Sequence, residues 1–441
     1  MKQFCLIIFF ISTFLAPAAG KAADTLRLAD AVVLALENNF SISLAENNLN
    51  IAETGNTLGN AGMLPVLGLT GSRSLSINNS KQVYYDGRTR EGKDAKTNNQ
   101  SAGLQLNWTF FDGFNMFIQK DKLNELEKLS ALQLRSVIEG TVATVVEVYY
   151  NIAAQQALAN VYREALRNSA ERRLFAKARA DVGSGSELAV LQAAVDMNAD
   201  SANYLRQLAV VENLKSDLNL LLCRNLSEPF EVDTDIPLKY DLRREELWVR
   251  AQKENPDLQR ARNAVGIATL TVKELRSQQL PRLSLNSGYS FSKSKSDVGL
   301  MTSNRNYGFT VGVSLAYNIF DGFTTRQQIA QARIREESAQ TEAEQLQLQL
   351  QASLQQTYND YATNLRLVKF ETESLELARQ NFAVAEEKYR LGSLTDVELR
   401  ETQVKLMEAE NRLLTSKYRC KTAETELCRI AGLLSVENGV Q

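Results

Sequence analysis

Histidine is missing from all 441 residues. With it go the usual zinc ligand and the usual general base at neutral pH. Carboxylate or lysine chemistry remains open, but no constellation for it stands out, so the sequence does not read as an enzyme. Cysteine is scarce at four residues, and Cys5 lies in the first apolar run. Cys223, Cys420 and Cys428 are too few for a disulfide scaffold. On one helix Cys420 and Cys428 would stand about 12 Å apart, too far to bridge. Burial as small apolar side chains is the preferred reading, and a bond from Cys223 to one of them stays open. A charge excess is lacking too: 50 Lys+Arg against 52 Asp+Glu gives no reason to expect a nucleic-acid partner. Beyond the N-terminus no run approaches 18 apolar residues, which argues against a transmembrane helix in the mature chain.

Residues 1–20 have the layout of a secretory signal peptide. Lys2 supplies the charge, Cys5 to Leu15 the apolar run, and Ala16-Pro17-Ala18 or Ala18-Ala19-Gly20 a small-residue cleavage site. The run is too short for a membrane anchor. Cys5 lacks the small residues that a lipid-attachment site places before it.

The rest is one pattern written twice. Trp108-Thr109-Phe110-Phe111-Asp112-Gly113-Phe114 recurs 209 positions on as Tyr317-Asn318-Ile319-Phe320-Asp321-Gly322-Phe323. The same displacement carries Gly183 onto Gly392 and Leu218 onto Leu427. Upstream it is 216, taking Asn39 to Asn255 and Leu64-Pro65 to Leu280-Pro281. Two equivalent halves are expected, 24–228 and 238–432, with a linker at 229–240 and a tail at 433–441. Each reads as helices, a β-hairpin (about 66–111 and 282–319), a long helix (115–181 and 324–391) and a return helix (186–222 and 395–431).

Leu-Pro ends the leading helix in both halves, because proline locks φ and has no N–H to give. Period two follows at once. Leu67, Leu69, Leu75 and Ile77 alternate with Gly68, Thr70, Ser72, Ser74 and Ser76; Leu104, Leu106, Trp108 and Phe110 alternate with Gln105, Asn107 and Thr109. Leu283, Leu285, Tyr289 and Phe291, then Tyr307 through Ile319, repeat the pattern. Four strands of roughly 10–13 residues, oily on one side and small and polar on the other, suit a membrane barrel wall. Trp108, Phe110, Tyr289, Phe291, Tyr307, Phe309 and Tyr317 are the expected interfacial aromatics. A soluble sandwich is the rival, but two hairpins are too little sheet for one. Asn79 to Gln100 and Lys295 to Asn306 read as exposed polar loops.

No proline interrupts 115–181 or 324–391, and each span is about 100 Å if helical. In the last helix Leu399, Thr402, Leu406, Ala409, Leu413, Ser416, Cys420, Ala423, Leu427 and Ile430 keep strict 3,4 spacing, a coiled-coil seam. Half its members are small, so neighbouring helices can approach closely. Helices of this length cannot fit a hydrocarbon layer of roughly 30 Å and must project from it. Four strands cannot close a barrel, and open edges are not tolerated in lipid. The chain must therefore associate: two copies give eight strands with a filled interior, three give twelve and a lumen.

The duplicated Leu-Pro entry, the repeated Phe-Asp-Gly-Phe, Ala383-Val384-Ala385-Glu386-Glu387-Lys388-Tyr389-Arg390-Leu391-Gly392 and the closing Leu427-Cys428-Arg429-Ile430-Ala431-Gly432 together resemble the TolC family of outer-membrane efflux and type I secretion channels. The likeness spans essentially the whole mature chain. It implies a mixed α/β membrane protein: a homotrimeric 12-stranded outer-membrane β-barrel continuous with a 12-helix periplasmic α-barrel, each chain an internal duplication. It implies a passive exit duct without cofactors or metals. The expected partners are outer-membrane lipid, a periplasmic adaptor and an inner-membrane RND or ABC pump, driven by a proton gradient or ATP. The alternative is a long coiled-coil structural protein without a lumen.

Carried over residue by residue, the resemblance puts Val182, Gly183, Ser184, Gly185 and Leu391, Gly392, Ser393, Leu394 at the periplasmic tip, where the adaptor docks. Glu398 and Glu401 would line the narrowing tunnel as acidic rings favouring cations, with mutual repulsion raising their pKa. Tyr389 matches a tyrosine of the closed-tip lock, whose arginine and aspartate are replaced here by Leu394 and Ala189. Closure would then rest on hydrophobic packing, or on Arg390 and Arg400 pairing with acidic neighbours.

Overall fold

The computed structural model describes residues 25–299 and 301–434. The expected signal peptide lies outside the described residues. Element order is α1 (Leu28–Asn38), α2 (Phe40–Gly55), β1 (Val66–Val83), β2 (Thr89–Phe111), α3 (Asn115–Asp181) and α4 (Glu187–Leu221). It then repeats as α5 (Arg244–Glu254), α6 (Pro256–Ser277), β3 (Arg282–Ser296), β4 (Ser303–Ala316), α7 (Thr324–Arg390) and α8 (Asp396–Ile430). By compactness the chain forms two units. Of the described residues, one holds 38–143, 239–299, 301–363 and 423–434; the other holds 25–37, 144–238 and 364–422. Each unit draws on both sequence halves.

The first unit contains a single antiparallel sheet in the order β1-β2-β3-β4. Its register settles which side chains share a face. Leu67 pairs with Leu106, Leu104 with Tyr289, and Tyr289 with Phe309. Because strand side chains alternate, Leu67, Leu69, Leu75, Ile77, Leu104, Leu106, Trp108, Leu283, Leu285, Tyr289, Phe291, Tyr307, Phe309, Val311, Val313 and Leu315 all fall on one face. The opposite face is a mesh of hydroxyls and amides. Ser72 meets Ser101 at 2.8 Å, Thr109 meets Ser284 at 3.1 Å, and Asn286 donates to Ser314 at 3.1 Å. Most of the oily face is exposed, Leu69 at 78% and Phe309 at 69%. Apolar patches of this extent mark contact with lipid or protein, not water.

The strands are longer than the alternation shows, at 18, 23, 15 and 14 residues. The expected loop from Asn79 to Gln100 is largely a continuation of the β1–β2 hairpin, closed by Tyr84 N–H to Arg88 O at 2.9 Å with Gly87 at φ 82°. Polar residues on both faces leave no period to read, yet backbone pairing alone carries the ladder. The second loop shrinks likewise to 297–302. At the other end β4 stops at Ala316, short of the expected 319, so Tyr317 follows the strand. Its partner β3 begins at Arg282, after Pro281, and nothing remains there to pair with.

The repeated Asp-Gly-Phe is a strand-to-helix junction. Asp112 Oδ1 accepts from Met116 N–H at 3.1 Å and Asp321 Oδ2 from Thr325 N–H at 2.8 Å, capping α3 and α7. Those bonds from Thr325 hold the Asp321 carboxyl below its ordinary pKa. The next two residues are left-handed in both copies: Gly113 and Phe114 at φ 72° and 71°, Gly322 and Phe323 at 67° and 65°. A phenylalanine there is strained. Each is braced by an edge-on ring contact, Phe111–Phe114 at 5.3 Å and Phe320–Phe323 at 5.4 Å.

All ten seam residues of α8 are buried or half-buried. On α7 the buried positions Leu354, Tyr361, Val368, Leu375 and Tyr389 fall on a seven-residue repeat. None of Cys223, Cys420 and Cys428 is in a disulfide, and Cys420 is buried. No single helix among the described residues is long and apolar enough to cross a membrane.

Candidate functional site: the helical turns and the polar network beside them

In the second unit α3 turns into α4 and α7 into α8 through the same device. Gly183 and Gly392 adopt φ 73° and 75°, which a Cβ disfavours. Gly183 N–H bonds Ala180 O and Ser184 N–H bonds Arg179 O; Gly392 bonds Tyr389 O and Ser393 bonds Lys388 O. These are Schellman closures that satisfy the last carbonyls of each long helix. The Ser184 and Ser393 hydroxyls add bonds to Arg179 O and Lys388 O at 3.2 and 3.0 Å. Gly185 is needed for space, since a Cβ would sit 3.0 Å from Ala180 N. Of the eight expected tip residues, seven are exposed and Leu394 is half-buried. The two turns come together: Ser184, Gly185, Gly392, Ser393 and Leu394 line one groove of about 430 Å³ with Tyr389.

Tyr389 is buried against Leu399 and Ala385, its ring 5.4 Å from that of Phe175. Its hydroxyl donates to Asp396 Oδ1 at 3.1 Å. Burial, reinforced by the Asp396 charge, pushes its pKa up to about 12. Behind it lies a network that joins α3, α4, α7 and α8. Arg400 (α8) grips Asp200 (α4) with two bonds of 2.7 and 2.8 Å. Ser169 (α3) also donates to Asp200. Arg172 (α3) donates to Asp196 (α4) and stands 3.6 Å from Asp396 (α8). Gln403 Nε2 reaches Ala165 O at 3.0 Å. Asp200 is 0% and Arg172 4% exposed, so these charges are compensated in a largely dry setting. Arg400 is held protonated above its usual range, first by the Asp200 bonds.

Sequence reasoning placed Arg400 beside acidic partners but missed Arg172, Asp196, Asp200 and Asp396. The signal was there: Ala193, Asp200 and Gln207 lie seven apart on the buried face of α4. Arg390 pairs with Glu386 at 2.8 Å, one turn back on its own exposed helix face.

Glu398 lies outside the groove and closes a capping box, accepting from Thr395 N–H at 2.9 Å while its own N–H donates to the Thr395 hydroxyl at 3.3 Å. Within the single chain the Thr395 bonds lower its pKa. Glu401 is exposed and pairs with Lys405 at 2.6 Å. In the sheet unit, Trp108 Nε1–H donates to Met63 O at 3.0 Å and Phe110 sits at a bulge, its ring 6.1 Å from Trp108. Tyr289 pairs with Phe309, and Phe291 with Tyr307. Among the described residues no group of three or more His, Cys, Asp or Glu is placed to hold a metal.

Two stretches, 31–219 and 247–433, each match the family described as outer membrane efflux protein. The chain belongs to that family. It is 25% identical to the alkaline protease secretion protein AprF of Pseudomonas aeruginosa, over 93% of this chain and 85% of AprF. It is 22% identical to the probable efflux pump outer membrane protein TtgC of Pseudomonas putida, over 90% and 81%. Its fold is that of the outer-membrane channel OprN (TM-score 0.76, 20% identity, 92% of this chain and 89% of that one). The Campylobacter jejuni CmeC outer membrane channel shares it too (TM-score 0.79, 17% identity, 92% and 85%). The family member is an outer-membrane exit duct with a large periplasmic portion, which sets aside the coiled-coil structural protein without a lumen.

Proposed function

We propose that three copies of this chain close a twelve-stranded barrel, and that the duct conducts passively, without a cofactor, between a periplasmic adaptor and the exterior. The observation that carries this is the sheet: one largely oily face, one hydroxyl- and amide-lined face, and two edge strands, β1 and β4, whose outer sides are unpaired among the described residues. Unpaired edges in hydrocarbon leave a row of unsatisfied N–H and C=O groups, so the sheet must close on further copies. Four strands per chain and a lumen wide enough for cargo favour three.

The two Asp-Gly-Phe junctions support the same assembly. A Cβ on Gly113 would meet Ser277 O at 2.4 Å and Leu280 Cβ at 2.7 Å; one on Gly322 would meet nothing within 4 Å. By the 216-residue displacement, Ser277 and Leu280 correspond to Ala61 and Leu64. The space over Gly322 therefore fits Ala61 and Leu64 of a neighbouring copy.

The turns Val182–Gly185 and Leu391–Leu394, with exposed Val182 and Leu391 beside bare glycine backbone, are the adaptor's docking surface in this reading. An RND or ABC pump in the inner membrane supplies the energy. The Arg172–Asp196–Asp200–Arg400 network, with Tyr389–Asp396, takes over the tip lock whose usual partners are Leu394 and Ala189 here. Glu398 and Glu401 form the acidic rings once three copies surround the axis.

The test is reconstitution of the full chain. Heat-modifiable trimers in outer-membrane extracts and stepwise conductance in planar bilayers are the expected result. A detergent-free monomer without conductance would sink the reading. Glu398→Gln with Glu401→Gln is expected to reduce cation selectivity, and unchanged selectivity removes the rings.

A further inference from the structure

The oily face of the sheet is crossed by a row of cations near one end only, with Leu75 and Ile77 of β1 beyond it. Reading across the register, Gly71, Ala102, Phe291 and Tyr307 form one row. The next row towards the hairpin turns on the same face is Arg73, Gln100, Lys293 and Arg305. Beyond it Leu75, Asn98, Lys295 and Ser303 form another, and Lys96 pairs with Ile77. No charged residue stands on this face between that cationic row and Leu283 at the helix end. The opposite face at the same levels carries Ser72, Ser74, Ser101, Asn99, Ser292 and Asn306, without a charge.

That segregation is informative. Cations that merely kept a wet strand end soluble would stand on both faces. At this level they stand only on the side that carries the oil, immediately past the aromatic pair; cations on both faces, Lys81 and Arg90, come only beyond the register shift at Asn78/Ser80. Arg305 is held there by its rings: its guanidinium lies 5.2 Å from the Phe291 centroid and 5.8 Å from that of Tyr307. Arg73, Lys293, Lys295 and Arg305 enter no salt bridge among the described residues. Three nearby acids are engaged elsewhere: Glu91 with Lys81, Asp86 with Arg88, and Asp297 with the Lys96 N–H.

We propose that this row binds the phosphate of a membrane lipid headgroup in the leaflet facing the hairpin turns, fixing the depth and tilt of the barrel. The inference rests on the sheet being a barrel wall. The occupant is a lipid and not free phosphate, because the row abuts the oily band and an acyl chain can lie along Phe291, Phe309 and Val311. Lys293 and Arg305 sit on neighbouring strands, about 4.8 Å apart, and both reach one phosphate. Arg73, two strands from Lys293 at roughly 10 Å, reaches a second.

The experiment places the full chain in nanodiscs of phosphatidylcholine with a minority of phosphatidic acid and measures the lipid retained after detergent exchange by mass spectrometry. Wild type is expected to enrich phosphatidic acid. Arg73→Gln/Lys293→Gln/Arg305→Gln should lower that enrichment about tenfold or more, since each cation near a charged lipid surface contributes roughly fivefold. Arg73→Lys/Lys293→Arg/Arg305→Lys should keep it, as should Arg282→Gln, a cation on the other face. Millimolar inorganic phosphate should not displace the lipid. Equal enrichment in the triple glutamine variant overturns the proposal, and so does displacement by inorganic phosphate, which would mark a free-anion site. Each preparation is first tested for conductance. A conducting wild type without enrichment refutes the lipid site alone, whereas a wild type that never conducts refutes the duct.

Discussion

Asp200 offers the sharpest test of how the helical unit is held. Its carboxylate is fully buried and depends on Arg400, through bonds of 2.7 and 2.8 Å, and on the Ser169 hydroxyl. Substituting Arg400→Met removes the only cation bonded to that carboxylate among the described residues while keeping the aliphatic stem packed. Stranding a buried charge costs about 3–5 kcal/mol. The Arg400 side chain is 20% exposed, so water can follow into the gap, and about 2–3 kcal/mol is the better figure. That corresponds to a roughly 30-fold to 150-fold loss of hydrogen-exchange protection in α4 and α8, if the unit opens locally. Asp200→Leu alone should cost somewhat less, since Arg400 keeps Asp196 at 4.0 Å and its bond to Gln403 at 3.2 Å. The double variant removes both charges and should recover most of the loss, giving a coupling of about 2 kcal/mol. Protection that falls less than threefold in Arg400→Met, or a double variant as weak as the sum of the singles, would refute the view of Asp200–Arg400 as a paired buried link. If the link also holds the tip closed, the single variants raise conductance and the double variant does not.

Gly113→Ala and Gly322→Ala separate backbone strain from crowding. Both place a Cβ at positive φ, costing about 1 kcal/mol, but only Gly113 also meets backbone, at 2.4 Å. Gly113→Ala should impair folding of the chain, whereas Gly322→Ala should lower trimer yield on seminative gels. Tyr389, with its pKa raised to about 12 from 10, contributes stability that is complete below pH 10 and lost as pH rises through 12. Burial also raises Tyr149 and Tyr418, so absorbance at 295 nm should show several late-ionising tyrosines, one fewer in Tyr389→Phe. Val311→Arg, on the oily face, should cost about 2–4 kcal/mol and abolish insertion. Thr310→Arg, one residue away on the other face, should insert normally and shift ion selectivity. Equal behaviour of the two would mean the sheet has no lipid side.

Much of this architecture was legible because it repeats. The Asp-Gly-Phe motif, the Leu-Pro breaks and the alternating strands each recur at a fixed displacement, and the left-handed residues obey it as well. Gly113, Phe114, Gly183 and Cys223 are matched 209 positions on by Gly322, Phe323, Gly392 and Gly432. Periodicity failed where a segment is wet on both sides, which is why the polar extension of β1 and β2 looked like loop. It failed also at the buried network. A period marks positions that are apolar, and Asp200 and Gln207 occupy seam positions as polar residues satisfied by partners on other helices. Sequence spacing says where a side chain points, but not which long-range charge meets it.

The unequal surroundings of equivalent residues carry the argument one step further. Cys223 and Gly432 end their helices with the same left-handed turn, yet a Cβ on Gly432 would stand 2.8 Å from Glu254 O while Cys223 carries a side chain without obstruction. Gly113 is crowded by Ser277, and Gly322 faces open space. A sequence repeated twice in a free-standing chain has no reason to keep glycine at a position nothing approaches, beyond its φ. In a ring, each junction packs against the half that precedes it around the axis: for the second half's leading helices this contact lies within the chain, and for the first half's it lies in the next copy. The bare Gly322 is then a contact whose other side belongs to the neighbour. Cross-linking Gly322→Cys to Leu64→Cys on a co-expressed copy tests that directly, since Leu64 is the equivalent of Leu280, whose Cβ lies 2.7 Å from a Cβ on Gly113. A bond formed only between chains supports the ring, while a bond within one chain, or none, would show that Gly322 is retained for its backbone angle alone.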